Sequence, residues 1–65
     1  MAQYRCYFRG RDGLMLGAEN IDGSQDREAI EKARQRLASE RDFAAFELWH
    51  RERWIYAEMR AEEVS

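Results

Sequence analysis

The chain has 65 residues, 45% hydrophobic and 37% charged, with Trp, Tyr and Phe well represented; that is the composition of one small folded domain spanning residues 1–65, not of a low-complexity tail. Thirteen acids against eleven bases leave a formal charge of −2, so no global field draws it to phosphate or to an anionic membrane. No uncharged apolar run approaches the roughly 20 residues of a membrane helix, and a single cysteine excludes an internal disulfide, so stability has to come from packing or self-association.

The N-terminal MAQYRCYFRGRDG has no apolar h-region of the kind an export signal needs. Together with the lone thiol this gives the expectation of a cytoplasmic protein. Tyr4 to Arg9 alternates, with Tyr4, Cys6 and Phe8 on one side and Arg5, Tyr7 and Arg9 on the other, which predicts a strand over 3–9. A second strand is expected over 14–21. The Arg11-Asp12-Gly13 link between them suits a three-residue loop with Gly13 left-handed beside a bulge. Continued along the hairpin, that register pairs Phe8 with Leu16 and Cys6 with Ala18 on one face. On the other it sets Tyr7 over Gly17 and Arg5 opposite Glu19.

Asp22-Gly23-Ser24 breaks the strand, and residues 25–39 are nearly all good helix formers without Gly or Pro. Ala29, Ile30, Ala33 and Leu37 form a narrow apolar stripe. Ser24 is the better intrinsic N-cap, while Gln25 and Glu28 keep the spacing of a capping box. Strands over 44–49 and 54–60 follow, joined through His50-Arg51-Glu52-Arg53. Their expected register pairs Leu48 with Ile55, Phe46 with Ala57, Trp49 with Trp54 and Glu47 with Tyr56. The absence of glycine favours a four-residue loop there over a tight primed turn. A helical second half is the rival reading, because Leu48, Ile55 and Met59 can share a helical face; the cluster of Trp, Ile and Tyr favours strands.

The expected fold is therefore α+β: a ββαββ chain forming a four-stranded antiparallel sheet with one helix packed on one face. Tyr4, Cys6, Phe8, Leu14, Leu16, Phe46, Leu48, Ile55 and Ala57 would face the helix. The open face would carry Tyr7, Met15, Trp49, Trp54 and Tyr56 among Arg5, Arg9, Glu19, Glu47 and Glu58, with Arg53 joining Arg5 and Arg9 as a polar rim.

Chemistry is sparse. Cys6 falls at an inward strand position, where a thiol acts as a small hydrophobe. His50 lies in a turn with no companion nucleophile, and Cys6 and His50 have no metal-ligand spacing. No phosphate-binding or nucleophile-elbow motif is present, and so small a chain leaves little room for a deep pocket. Neither enzymatic activity nor a cofactor nor a metal is expected. Two binding readings remain for the open face. Aromatic residues beside arginines could stack single-stranded RNA. Tyr, Trp, Met and Arg are also the residues enriched at protein interfaces, and an exposed aromatic patch on a small chain favours a homodimer, by the face or by a sheet edge, or an unidentified protein partner.

Tyr4-Arg5-Cys6-Tyr7-Phe8, Asp12-Gly13, Glu28-Ala29-Ile30 and Glu47-Leu48-Trp49 resemble the opening strand, turn, helix core and closing strand of a group of very short bacterial proteins, chiefly alphaproteobacterial, without established activity. That resemblance spans almost the whole chain and implies the same strand-strand-helix-strand-strand domain. Gly23-Ser24-Gln25-Asp26-Arg27-Glu28-Ala29 is fainter in its similarity to the helix start of HicB-type antitoxin modules, whose preceding Pro-Gly segment is missing here. That similarity implies a toxin-neutralising role; with no appended DNA-binding domain either, a stand-alone partner-binding module is what stays compatible with it.

Overall fold

The computed structural model describes residues 1–60, so the last five residues of the expected 1–65 domain lie outside the described residues. The elements run β1 (Ala2–Arg9), β2 (Met15–Gly23), α1 (Asp26–Ser39), β3 (Ala45–His50) and β4 (Arg53–Met59). All ladders are antiparallel and the strand order is β2-β1-β3-β4, with β1 and β3 in the centre. This is the expected ββαββ α+β fold, and the second half is strand.

One core joins the layers. Tyr4, Cys6 and Phe8 of β1, Ile21 of β2, and Phe46 and Leu48 of β3 are buried against Ala29, Ala33 and Leu37 of α1. The small alanines at spacing four let the helix backbone come close to the sheet. At Gly23 an added Cβ would lie 3.2 Å from the Ala29 nitrogen, so the connection into α1 has no room for a side chain. Phe43, in the loop after α1, completes the core end by stacking on Phe8, with centroids 4.4 Å apart.

The first turn forms as predicted: Gly10 N–H donates to Leu14 O, Gly13 N–H donates to Gly10 O, and Gly13 takes a left-handed φ of 85°. Beyond the turn the register departs from expectation. Arg9 pairs with Met15, but a bulge at Leu16 then shifts the ladder by one residue, giving Phe8↔Gly17, Tyr7↔Ala18, Cys6↔Glu19 and Arg5↔Asn20. The second hairpin does the same. Trp49 pairs with Trp54, a bulge follows at Ile55, and the ladder continues as Leu48↔Tyr56, Glu47↔Ala57, Phe46↔Glu58 and Ala45↔Met59.

A one-residue slip sends each later side chain to the opposite face. Leu16, the bulge residue, is 49% exposed and Ala57, beyond the second bulge, is exposed too, though both are expected in the core. Leu14, also expected there, lies ahead of the bulge at the end of the first turn and is 65% exposed. Ile55 sits at the core margin. The predicted Arg5–Glu19 pairing does not form; Arg5 Nη1 donates to Asn20 Oδ1 at 2.9 Å, while Glu19 turns to the helix. The β3–β4 turn is also tighter than expected. His50 pairs with Arg53, leaving Arg51-Glu52 as the turn, with Arg51 at φ 58°.

The two hairpins repeat each other about an axis through the sheet centre. Arg9↔Met15, Phe8↔Gly17, Cys6↔Glu19 and Tyr7↔Ala18 correspond to Trp49↔Trp54, Leu48↔Tyr56, Phe46↔Glu58 and Glu47↔Ala57, with a bulge at the same step. The equivalent glutamates Glu19 and Glu58, one near each sheet edge, are both held by α1. Arg36 reaches Glu19 with Nε 3.0 Å from each carboxylate oxygen, and Arg34 Nε donates to Glu58 at 2.7 Å. Arginines two apart on a helix diverge sideways, so the helix is strapped down on both sides. These bonds raise the affinity of both guanidiniums for their protons.

A side chain from elsewhere closes the C-terminal end of the helix but not its N-terminal end. The N-cap is Gln25, not Ser24, and it makes no side-chain cap bond. Ser24 instead donates its N–H and hydroxyl to Glu28 Oε1 at 3.1 and 2.6 Å. At the other end the Arg60 guanidinium donates to the carbonyls of Leu37 and Glu40, supplying hydrogens that the last turn lacks. No helix among the described residues is long and apolar enough to cross a membrane.

Candidate functional site

With α1 on one side, the other side of the sheet is uncovered. Its residues follow from the ladders as three rungs, read across β2, β1, β3 and β4: Met15–Arg9–Ala45–Met59, Ala18–Tyr7–Glu47–Ala57 and Asn20–Arg5–Trp49–Trp54. Met15, Trp54 and Met59 are 52%, 55% and 81% exposed, while Tyr7 and Trp49 are half-buried among their neighbours.

One ion pair divides the face. Arg9 Nε donates to Glu47 Oε2 at 3.0 Å, and Arg9 Nη1 also donates to Gly13 O at 3.1 Å, tying the first turn to the central strands. On one side of this pair is an open concavity of about 490 Å³ bordered by Tyr7, Met15 and Trp49, with Arg51 and Glu52 at its rim. On the other is a larger one of about 920 Å³ bordered by Ala45, Trp54, Ala57 and Met59, with Arg11 and Arg60 at its rim. The cross-strand tryptophans thus line different hollows. Arg5 lies over the Tyr7 ring, 5.8 Å from its centroid.

Of the residues singled out in the sequence, Tyr7, Met15, Trp49 and Trp54 share this face with Arg5 and Arg9. Tyr56 and Arg53 do not. The bulge at Ile55 turns Tyr56 toward the helix, where its ring is 6.0 Å from Phe46 and its hydroxyl accepts from Arg34 and donates to Glu58 at 2.8 Å. Burial alone would raise Glu58, but the bonds from Arg34 and Tyr56 outweigh it and hold the carboxyl below its usual range. Arg53 precedes Trp54 and therefore points the other way, 3.8 Å from Asp26. Glu19 and Glu58, also expected on the open face, are the strapped carboxylates described above. Ala45 and Met59 belong to the face and were not singled out, and Ala18 and Ala57, expected toward the helix, belong to it as well. The signal for both bulges is a run of three apolar residues, Leu14-Met15-Leu16 and Trp54-Ile55-Tyr56, where strict alternation must fail.

The remaining reactive side chains lie elsewhere. Cys6 has no exposed surface, and burial, with Glu19 beside it, pushes its thiol up to about 12. His50 packs its ring 5.0 Å from that of Tyr4 on the helix side. Tyr4 donates to Asp26 at 2.6 Å, a bond that, with burial, raises its phenol. Among the described residues no group of three or more His, Cys, Asp or Glu could hold a metal ion. What the open face offers is contact: indole, phenol and thioether surface around the Arg9–Glu47 ion pair and Arg5. Compared with known proteins, the chain matches no protein-family model, no curated protein and no solved structure.

Proposed function

We propose that this chain is a small non-enzymatic interaction module that pairs with a second copy of itself through the open sheet face. The observation that carries this reading is the make-up of that face. Apolar and aromatic residues dominate the three rungs, which carry only three charged side chains, Arg5, Arg9 and Glu47, and Arg9 and Glu47 are paired with each other. A largely apolar patch on so small a chain, with one of its two arginines held by Glu47, favours burial against a like surface over attraction to a polyanion.

The face is a better candidate than either edge. Each edge strand carries a bulge, which twists the edge and interrupts the row of free backbone groups that strand addition needs. The arginines that RNA binding would require are engaged, Arg9 with Glu47 and Arg53 with Asp26 on the far side. A lone buried thiol suits a reducing cytoplasm, where we place the protein.

Light scattering on a size-exclusion column tests the reading directly. A mass near twice the 7.8 kDa chain is expected, falling with dilution. Trp54→Ala should weaken association at least tenfold while the far-ultraviolet circular dichroism stays as in the parent. A monomer at high concentration that binds single-stranded RNA with a steep loss of affinity in salt would overturn it.

A further inference from the structure

We infer that the two copies meet about a two-fold axis running parallel to the strands between β1 and β3, which brings Arg9 of each copy one rung from Glu47 of the other. This rests on the pairing proposed above and specifies its geometry. Two sheets stacked face to face in the aligned manner admit two such axes, one along the strands and one across them. An axis across the strands, through the middle rung, lays every strand over its own copy in reverse. Glu47 would then meet the partner's Glu47, and Arg9 the partner's Arg5. Both contacts oppose like charges as they leave water.

The axis along the strands lays β1 over β3 and β2 over β4, reading each rung against its own reverse. In the first rung Met15 meets the partner's Met59, and Arg9 meets the partner's Ala45 with the partner's Glu47 on the neighbouring rung. In the middle rung Ala18 meets the partner's Ala57 and Tyr7 meets the partner's Glu47. In the third, Asn20 meets the partner's Trp54 and Arg5 meets the partner's Trp49. Methionines meet methionines, alanines meet alanines, and a guanidinium covers an indole, a favourable cation–π arrangement. The Arg9–Glu47 pair, 3.0 Å apart within one chain, becomes the centre of a four-charge cluster that fixes register.

Charge exchange between chains tests this. Arg9→Glu and Glu47→Arg alter half-exposed side chains and leave the core untouched. Each variant alone should dimerise at least tenfold more weakly than the parent, since each brings like charges together across the axis. Mixed in equal amounts, they should recover a heterodimer of parental mass, because each then offers the other's missing sign. A dimeric parent whose two variants gain nothing on mixing would overturn the axis while leaving the pairing intact. A monomeric parent would remove the pairing itself.

A second measurement does not depend on charge. Ala18 and Ala57 lie on opposite edge strands of one chain, about 14 Å apart at three strand spacings. The double variant Ala18→Cys/Ala57→Cys should therefore be joined between chains by a bis-maleimide shorter than that span. A covalent dimer on denaturing gels is the expected product. Cross-linking equally well in either single variant would favour the other axis.

Discussion

Cys6 is the best-isolated reactive group in the chain, and its position sets what it can do. A thiolate is the reactive form, and a thiol held near 12 presents almost none at pH 8. A small disulfide reagent should therefore label the native protein only as fast as the sheet opens, with an abrupt burst in denaturant. Fast labelling of the folded protein would contradict the burial. Cys6→Ser places a hydroxyl in a site built for a hydrophobe and should cost about 1–3 kcal/mol of unfolding free energy. At Arg51 the sign reverses. A left-handed φ of 58° is unfavourable for any residue with a Cβ, by roughly 1–2 kcal/mol. Arg51→Gly should move the urea midpoint upward by the equivalent of about 1 kcal/mol, once the glycine's greater freedom in the unfolded chain is subtracted.

Among the elements, α1 carries a charge network whose effect on stability can be read from acid titration. The bonds from Ser24, joined by Lys32, hold the Glu28 carboxyl down at about 2, against an ordinary value of 4.5. A carboxyl with a depressed folded value stabilises the fold above its unfolded value, and that contribution disappears as pH falls from 4.5 toward 2. Glu28→Gln should lower stability at pH 7 and flatten this part of the acid limb. An unchanged acid limb would show that the network does not survive in solution. Around the first hairpin and in β3 the contrast is between a leucine outside, Leu14 just ahead of β2, and a phenylalanine inside, Phe46. Leu14→Ser should change stability by no more than about 0.5 kcal/mol, whereas Phe46→Ala should cost about 3–5 kcal/mol. The unbulged register instead predicts that both substitutions are costly, since it sets Leu14 and Phe46 alike in the core. The helix was legible because Ala29, Ala33 and Leu37 repeat at four, and the first turn because Asp12-Gly13 supplies the residue that a left-handed φ requires. Ladder register beyond each turn was not legible, since the runs Leu14-Met15-Leu16 and Trp54-Ile55-Tyr56 break the alternation without marking which residue is the extra one. That is why Leu16 and Ala57 were assigned inward and Tyr56 outward. Arg53 was misplaced for a simpler reason: as the neighbour of Trp54 in an extended strand, it has to point to the other side.

For the molecule as a whole, the open face was legible in its central strands, where Arg5, Tyr7, Arg9, Glu47 and Trp49 follow from alternation alone. The edge strands supplied the errors, because only their bulges decide which of their apolar residues join that face. The repetition of one hairpin design on both sides of the sheet also bears on how the chain reaches its fold. The β1–β2 and β3–β4 ladders each close around their own turn, so both can form quickly from local contacts. The β1–β3 seam joins segments separated by β2 and the whole of α1, and it bears the entropy of closing a loop of roughly 40 residues. Refolding should accordingly be limited by the docking of two formed hairpins, with the seam residues Phe8 and Phe46 meeting at that step. In stopped-flow experiments Arg51→Gly should then speed refolding and leave unfolding almost unchanged, while Arg36→Ala, which loosens a helix strap fastened afterwards, should mainly hasten unfolding.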